Sequence, residues 1–322
     1  MAMAITQTRQ SAIGIACGIG AGALWGLVFL VPELARDFGP LHLAAGRYLA
    51  YGAIAAVLLA PRWARTMAHL TRRDWLALSW LGLLGNTLYY VLLASAVQMG
   101  GIAMTSLVIG FIPVLVTVAG SRDAAAPRLA ELAPSLLLGA AAAVFIGWQA
   151  AGHAPPGAAM TQLAGLLCAI GALVSWAVFA VANSRCLARV EAVSAHDWSL
   201  LLGIATGAQA VLLVPAALLL EPQAHAAGAW LRFGALCLGV ALFASVVGNA
   251  LWNRMSRLLP LTLVGQMILF ETLFALLYAF VWEQRLPAPL EVLAVVFVVA
   301  SVVSCLAAHR PAAKPSAPAR RS

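Results

Sequence analysis

Glu271 is the residue whose surroundings most invite chemistry. It stands in Ile268-Leu-Phe-Glu271-Thr-Leu-Phe274, a stretch otherwise free of charge. An ionised carboxylate in such a setting is costly, and such groups face a cavity or a partner. Three readings stand: a proton-coupling site, a partner for the ammonium of a substrate, or a neutral glutamic acid hydrogen-bonded between helices. Arg47, in Leu43-Ala-Ala-Gly-Arg47-Tyr48, is the one cation inside an apolar run. Glu33 and Asp37 lie at the near end of the preceding run, and an arginine there can snorkel or pair with such a carboxylate. An Arg47–Glu33 pair is expected to be either a gate that breaks and reforms or a static clamp.

Aromatic and amide side chains fill out the candidate set. Trp25, Tyr89, Tyr90, Trp176 and Trp252 can stack on an organic substrate or hold a cation over a ring face. The alternative is an interfacial anchor. Asn86, Asn249 and Gln266 can bind substrate or join helices through hydrogen bonds. Pro113 removes a backbone donor and breaks a helix, either beside a cavity or as a packed kink. Gly14, Gly18, Gly22 and Gly26 form a small-residue stripe that lets a second helix approach closely.

Enzymatic chemistry has no foothold. The chain has no His-Glu-x-x-His, no Gly-x-Ser-x-Gly and no paired aspartates in an apolar run. Its six histidines are scattered and its five cysteines lack metal-binding spacing. No catalytic residue, metal or cofactor is expected.

The elements that must position these residues follow from composition. Of 322 residues, 63% are hydrophobic and 9% charged, against roughly 45–50% and about 25% in soluble domains. Spanning a bilayer takes about 20 apolar residues in a helix. Such runs lie near 11–31, 41–60, 75–95, 102–120, 130–148, 162–182, 199–220, 231–253, 261–282 and 287–307. None alternates with period two, which argues for helices over a barrel. The first run is too long for a cleavable signal's apolar core. The polar, Pro-rich tail at 308–322 is expected to be disordered.

Arginine placement sets an orientation. With residues 1–10 in the cytoplasm, only Arg36, Arg232 and Arg285 fall outside, and Arg47 lies within a span. All other Lys and Arg fall inside, as the positive-inside rule requires. Both termini are then cytoplasmic, and the net charge of +8 needs no nucleic-acid partner.

The chain also repeats itself. Gly85-Asn86-Thr-Leu-Tyr89-Tyr90 is similar to Gly248-Asn249-Ala-Leu-Trp252-Asn253, and Ala23-Leu-Trp25-Gly26 to Val174-Ser-Trp176-Ala177. Two blocks of five helices, 11–149 and 162–307, accommodate both pairings. An odd number of spans per block inserts the second block upside down. Inverted repeats place a binding site near the midplane between halves and permit alternating access. The expected fold is an all-α integral membrane protein with ten transmembrane helices as two inverted five-helix repeats.

The residues resemble a known family, the EamA branch of the drug/metabolite transporter superfamily. Trp25 through Pro40 looks like its first span and outer turn, and Leu43–Tyr48 like its second-span arginine motif. Gly110-Phe-Ile-Pro113 looks like its fourth-span proline motif. Glu271 and the turn Glu283-Gln-Arg-Leu-Pro287 look like its ninth-span glutamate and the acidic turn that follows. Two departures stand out: Thr272 replaces a usual proline, and Ser121-Arg-Asp123 replaces a usual Gly-Glu turn.

The resemblance implies a transporter of small molecules, often an exporter, in the inner membrane. A phosphorylated substrate would usually need several deep cations, so a neutral, zwitterionic or cationic metabolite is expected, an amino acid or related compound first. Another small organic solute, such as a vitamin, sugar or cationic drug, is the alternative. Lipid and a small organic substrate are the expected partners, with protons if Glu271 titrates.

Overall fold

A computed structural model describes residues 2–120, 129–152, 158–190, 192–259 and 267–308. Gln266, the loop 121–128 and the tail 309–322 lie outside the described residues. Among the described residues every regular element is helical: α1 (Ala2–Leu34), α2 (Pro40–Leu59), α3 (Trp63–Met67), α4 (Arg72–Gly82), α5 (Leu88–Ile109), α6 (Ile112–Gly120) and α7 (Leu129–Gly152). Then come α8 (Ala159–Arg189), α9 (Ala195–Leu220), α10 (Ala227–Val240), α11 (Asn249–Leu258), α12 (Leu269–Trp282) and α13 (Pro289–Ala308).

Six helical stretches are long and apolar enough to cross a membrane: 12–34, 40–67, 72–109, 159–187, 195–220 and 227–256. Three shorter apolar helices, within α7, α12 and α13, accompany them. The 38-residue stretch 72–109 exceeds the roughly 20 residues one crossing takes. It is broken at Gly101, whose φ of 84° and ψ of 166° no helix tolerates. Glycine without Cβ adopts that conformation freely, and the break falls in the gap between the two expected spans.

Local chemistry sets several boundaries. Pro40 opens α2, where a missing N–H is harmless. Thr71 and Asp74 form a reciprocal capping box at α4, and Ser194 Oγ accepts from Asp197 N at α9. Each cap satisfies donors that the first helical turn leaves open. Exposed leucines such as Leu137, Leu212, Leu219 and Leu231, each more than 70% accessible, have the apolar outer surface that lipid solvates.

Two π-helical segments interrupt the long helices. Leu83–Thr87 joins α4 to α5, and Ala241–Gly248 joins α10 to α11. They contain or adjoin the Gly-Asn pairs of the repeated motif, Gly85-Asn86 and Gly248-Asn249. Widened turns of this kind are frequent at functional sites. Each receives a side-chain donor from another helix: Trp25 Nε1 to Ala244 O at 3.0 Å, and Ser175 Oγ to Leu84 O at 2.7 Å.

Helices α2 and α9 run antiparallel in direct contact. Their midpoints meet at glycines: a Cβ on Gly52 would lie 2.7 Å from Gly207 Cα, and one on Gly207 would lie 2.8 Å from Gly52 Cα. At one end, Glu221 just after α9 accepts hydrogen bonds from Leu41 N, His42 N and His42 Nδ1 at the start of α2. At the other end, Arg62 beyond α2 donates to Asp197 at the start of α9, at 2.9 Å.

Candidate functional site

The glycine stripe of α1 positions the acidic residue. Cβ atoms on Gly22 would meet Phe270 Cβ at 2.6 Å and Glu271 N at 3.0 Å, and one on Gly26 would meet Ala275 N at 3.0 Å. Gly18 meets the side chains of Met255 and Met267. Only hydrogen at Gly22 and Gly26 lets α1 lie against the backbone of α12. Glu271, in the first turn of α12, is thereby held at the α1–α12 seam. It interacts electrostatically with Arg47 and with Tyr89.

Arg47 departs from expectation. Glu33 pairs instead with Arg36, Nε to Oε1 at 2.6 Å. The pairing with the nearer residue is a local i,i+3 contact that an exposed arginine makes easily. It strengthens the proton affinity of Arg36, chiefly through the Glu33 hydrogen bond. Arg47 turns inward and is 8% exposed. Its Nη2 donates to Ser245 Oγ at 3.3 Å. Its Cζ lies 4.4 Å from the Tyr90 ring centroid and 5.1 Å from that of Tyr48. Nε and Nη1 are buried without an acceptor, and the Tyr90 hydroxyl lies against the guanidinium with no acceptor for its own proton. Nearby, Glu221 caps the start of α2, and Gly39 fits there because a Cβ would strike the carboxylate.

Trp25 and Trp252 come together with ring centroids 5.0 Å apart and a 37° tilt. Trp25 is fixed further by its bond to Ala244 O. Trp176 lies instead beside Phe179, at 5.9 Å and 62°. Tyr89 and Tyr90 are buried at the start of α5, just after the first π segment, and Tyr90 meets Tyr48 edge-on at 5.9 Å.

The asparagines serve different neighbours. Asn86 Nδ2 donates to Thr206 Oγ1 at 3.0 Å, and its carbonyl accepts from Tyr48 Oη at 3.0 Å. It therefore joins the first π segment to α2 and α9. Asn249 neighbours Tyr51, whose hydroxyl donates to Ser199 O at 2.7 Å. Pro113 occupies the second position of α6, and the helix break lies just before it, at Gly110–Phe111.

Ser245 and Tyr48 are site residues that the sequence did not single out. Tyr48 directly follows Arg47 in the sequence, a position that by itself does not say the ring turns back onto the guanidinium. Ser245 is one serine in an apolar run and carries no signal of its own.

The arrangement is a buried guanidinium framed by tyrosines, with a carboxylate in electrostatic reach on a different helix. Its donors and rings are of the kinds that bind small polar molecules.

Comparisons with known proteins agree on the class. The model of the EamA-like transporter family matches residues 12–121 and 163–306. The chain is 30% identical over 314 residues to "Inner membrane protein YtfF" of Escherichia coli (strain K12), covering 90% of this chain and 94% of that one. A crystal structure of a protein not further described superposes with a TM-score of 0.55 at 22% identity, over 90% of this chain and 94% of its own, and speaks to the fold alone.

Proposed function

The chain belongs to the EamA-like transporter family, and from that membership we propose that it is a secondary transporter exporting a small metabolite across the inner membrane. The substrate is neutral, zwitterionic or cationic, with an amino acid or related compound first. Ten transmembrane helices, arranged as two inverted five-helix repeats, work by alternating access, and both termini face the cytoplasm.

Several observations support this reading. The second family-matched stretch, 163–306, spans the second five-span block, and the first, 12–121, covers the first four spans of the first block. Helices α2 and α9, second in each block, are antiparallel and cross at reciprocal glycines, as two inverted copies would. The π segments sit at the repeated Gly-Asn motifs. The Escherichia coli relative is named as an inner membrane protein, and the arginine asymmetry gives the orientation. Family membership favours transport over a membrane enzyme.

The single observation that carries the function is the placement of Arg47 in one block and Glu271 in the other, within electrostatic reach of each other. Opposite charges from different halves interact inside the protein, and no direct ion pair between them occurs among the described residues. A substrate bridging them would couple the halves, which is what alternating access requires. Glu271 then binds a substrate ammonium or carries a coupling proton.

The test is counterflow of labelled amino acids into liposomes containing the purified protein. Saturable, substrate-specific counterflow that Glu271→Gln lowers at least about tenfold is expected. Turnover of a compound without flux would instead indicate an enzyme.

A further inference from the structure

Arg47 presents an unusual balance. A buried guanidinium without compensation costs several kcal/mol. Here the compensation consists of two aromatic faces and one long bond to Ser245. Cation–π contacts contribute about 0.5–2 kcal/mol each. Nε and Nη1 have no acceptor in hydrogen-bonding geometry, and the Tyr90 hydroxyl, which lies against the guanidinium, has none for its own proton. Buried donors are almost always satisfied, so these open donors on neighbouring side chains point to an acceptor that arrives from outside the chain.

The acceptor's chemistry follows from the charges. Guanidinium offers a planar fork that matches two oxygens of one group. Arg47 brings a single positive charge, and the carboxylate of Glu271 interacts with it electrostatically. A phosphate carries about −1.5 to −2 at neutral pH, which one arginine beside a glutamate cannot neutralise. A carboxylate carries one negative charge and can bind bidentately.

We propose that Arg47 and the Tyr90 hydroxyl form the seat for the carboxylate of a zwitterionic substrate, whose ammonium faces Glu271. The assignment rests on the transporter reading above and adds the required group and its orientation. Tyr48 and Tyr90 hold the guanidinium between them, and Ser245 fixes its far nitrogen. The carboxylate end belongs to the first half and the ammonium end to the second.

The test begins with wild-type protein in detergent. Dissociation constants are measured by calorimetry for the standard amino acids. Each one that binds is compared with its carboxamide, with its decarboxylated amine and with inorganic phosphate. The expected result is at least about tenfold weaker binding of amide, amine and phosphate, from the loss of charge-assisted hydrogen bonds. In Arg47→Gln the acid and the amide bind equally weakly. Tyr90→Phe weakens the acid severalfold and leaves the amide unchanged. Arg232→Gln, outside the site, changes neither.

Amides or amines that bind as tightly as the acid overturn the assignment, as does discrimination that survives in Arg47→Gln. So does a preference for phosphate, or the absence of any carboxylate ligand in the panel. If Arg47→Gln does not fold, the wild-type ligand series and Tyr90→Phe still decide. Carboxylate-dependent binding without counterflow would sink the transporter reading alone. Counterflow of a solute lacking a carboxylate would sink this assignment alone.

Discussion

The two halves of the protein share a framework but not their charges. Trp25 and Trp176 are 151 residues apart, and Asn86 and Asn249 are 163 apart. Over that interval the π segment recurs, and so does its donor from a neighbouring helix, Trp25 in one case and Ser175 in the other. The glycine contact between α2 and α9 reads the same from either side. Arg47 and Glu271 break the match. The same offset from Arg47 reaches 198–210, and from Glu271 it reaches back to 108–120. Neither stretch contains a charged residue. A matched framework suits two halves that exchange conformations, whereas unmatched charges give a bound molecule one orientation.

The largest effects should come from the unmatched charges. Glu271→Gln is expected to lower transport in liposomes by about tenfold to a hundredfold, the range for losing a hydrogen bond to a charged group. Its melting temperature should stay near wild type, since the amide retains the shape of the side chain. Equal transport in Glu271→Gln would mean that the charge asymmetry has no functional weight.

The matched framework predicts matched damage. Gly52→Leu and Gly207→Leu each drive a side chain into the opposing backbone, and overpacking of this kind costs about 1–3 kcal/mol. Thermal melts should show the two variants equally destabilised. Gly228→Leu, with open space around it, should melt like wild type. Unequal losses at Gly52 and Gly207 would show that the crossing is not shared evenly. The π-segment donors extend the same comparison: Trp25→Phe and Ser175→Ala each leave a part-buried carbonyl one bond short, at a cost of about 1 kcal/mol.

Much of this framework was legible in the sequence because lipid imposes a coarse demand, about 20 apolar residues per crossing. The break at Gly101 fell between two expected runs for that reason. The small-residue stripe on α1 was legible as a packing face, because spacing alone shows which glycines share a side. The partner of Arg47 was not legible. Glu33 was favoured because it lies close in sequence, yet it satisfies itself with Arg36. The actual neighbours, Tyr90 and Ser245, come from distant segments whose side chains do not advertise an arginine. The π segments were equally hidden, since Ala241–Gly248 has the composition of any apolar helix. The expected aromatic set divided for a related reason: repeat position does not say which rings face each other, and Trp176 sits with Phe179 while Trp25 sits with Trp252.

The smallest effects should arise where the α2–α9 pair and its surroundings meet water, and there the two ends differ. Glu221 supplies a carboxylate to the first turn of α2 through three hydrogen bonds. Glu221→Ala should therefore cost about 1–2 kcal/mol, the upper range for a lost helix cap. At the opposite end Arg62 is 44% exposed beside Asp197, so Arg62→Gln should cost at most about 1 kcal/mol. The Arg232–Asp37 pair is weaker still: both side chains are more than half exposed, at 56% and 60%. Water and counterions screen such a pair, and holding two mobile side chains together consumes entropy. Asp37→Asn should shift the melting temperature slightly at low salt and not at all at high salt, where the Debye length shrinks to about 3 Å. A shift that persisted at high salt would mean that Asp37 is anchored by something other than its charge, and this end of the protein would then be more ordered than its ion pairs require.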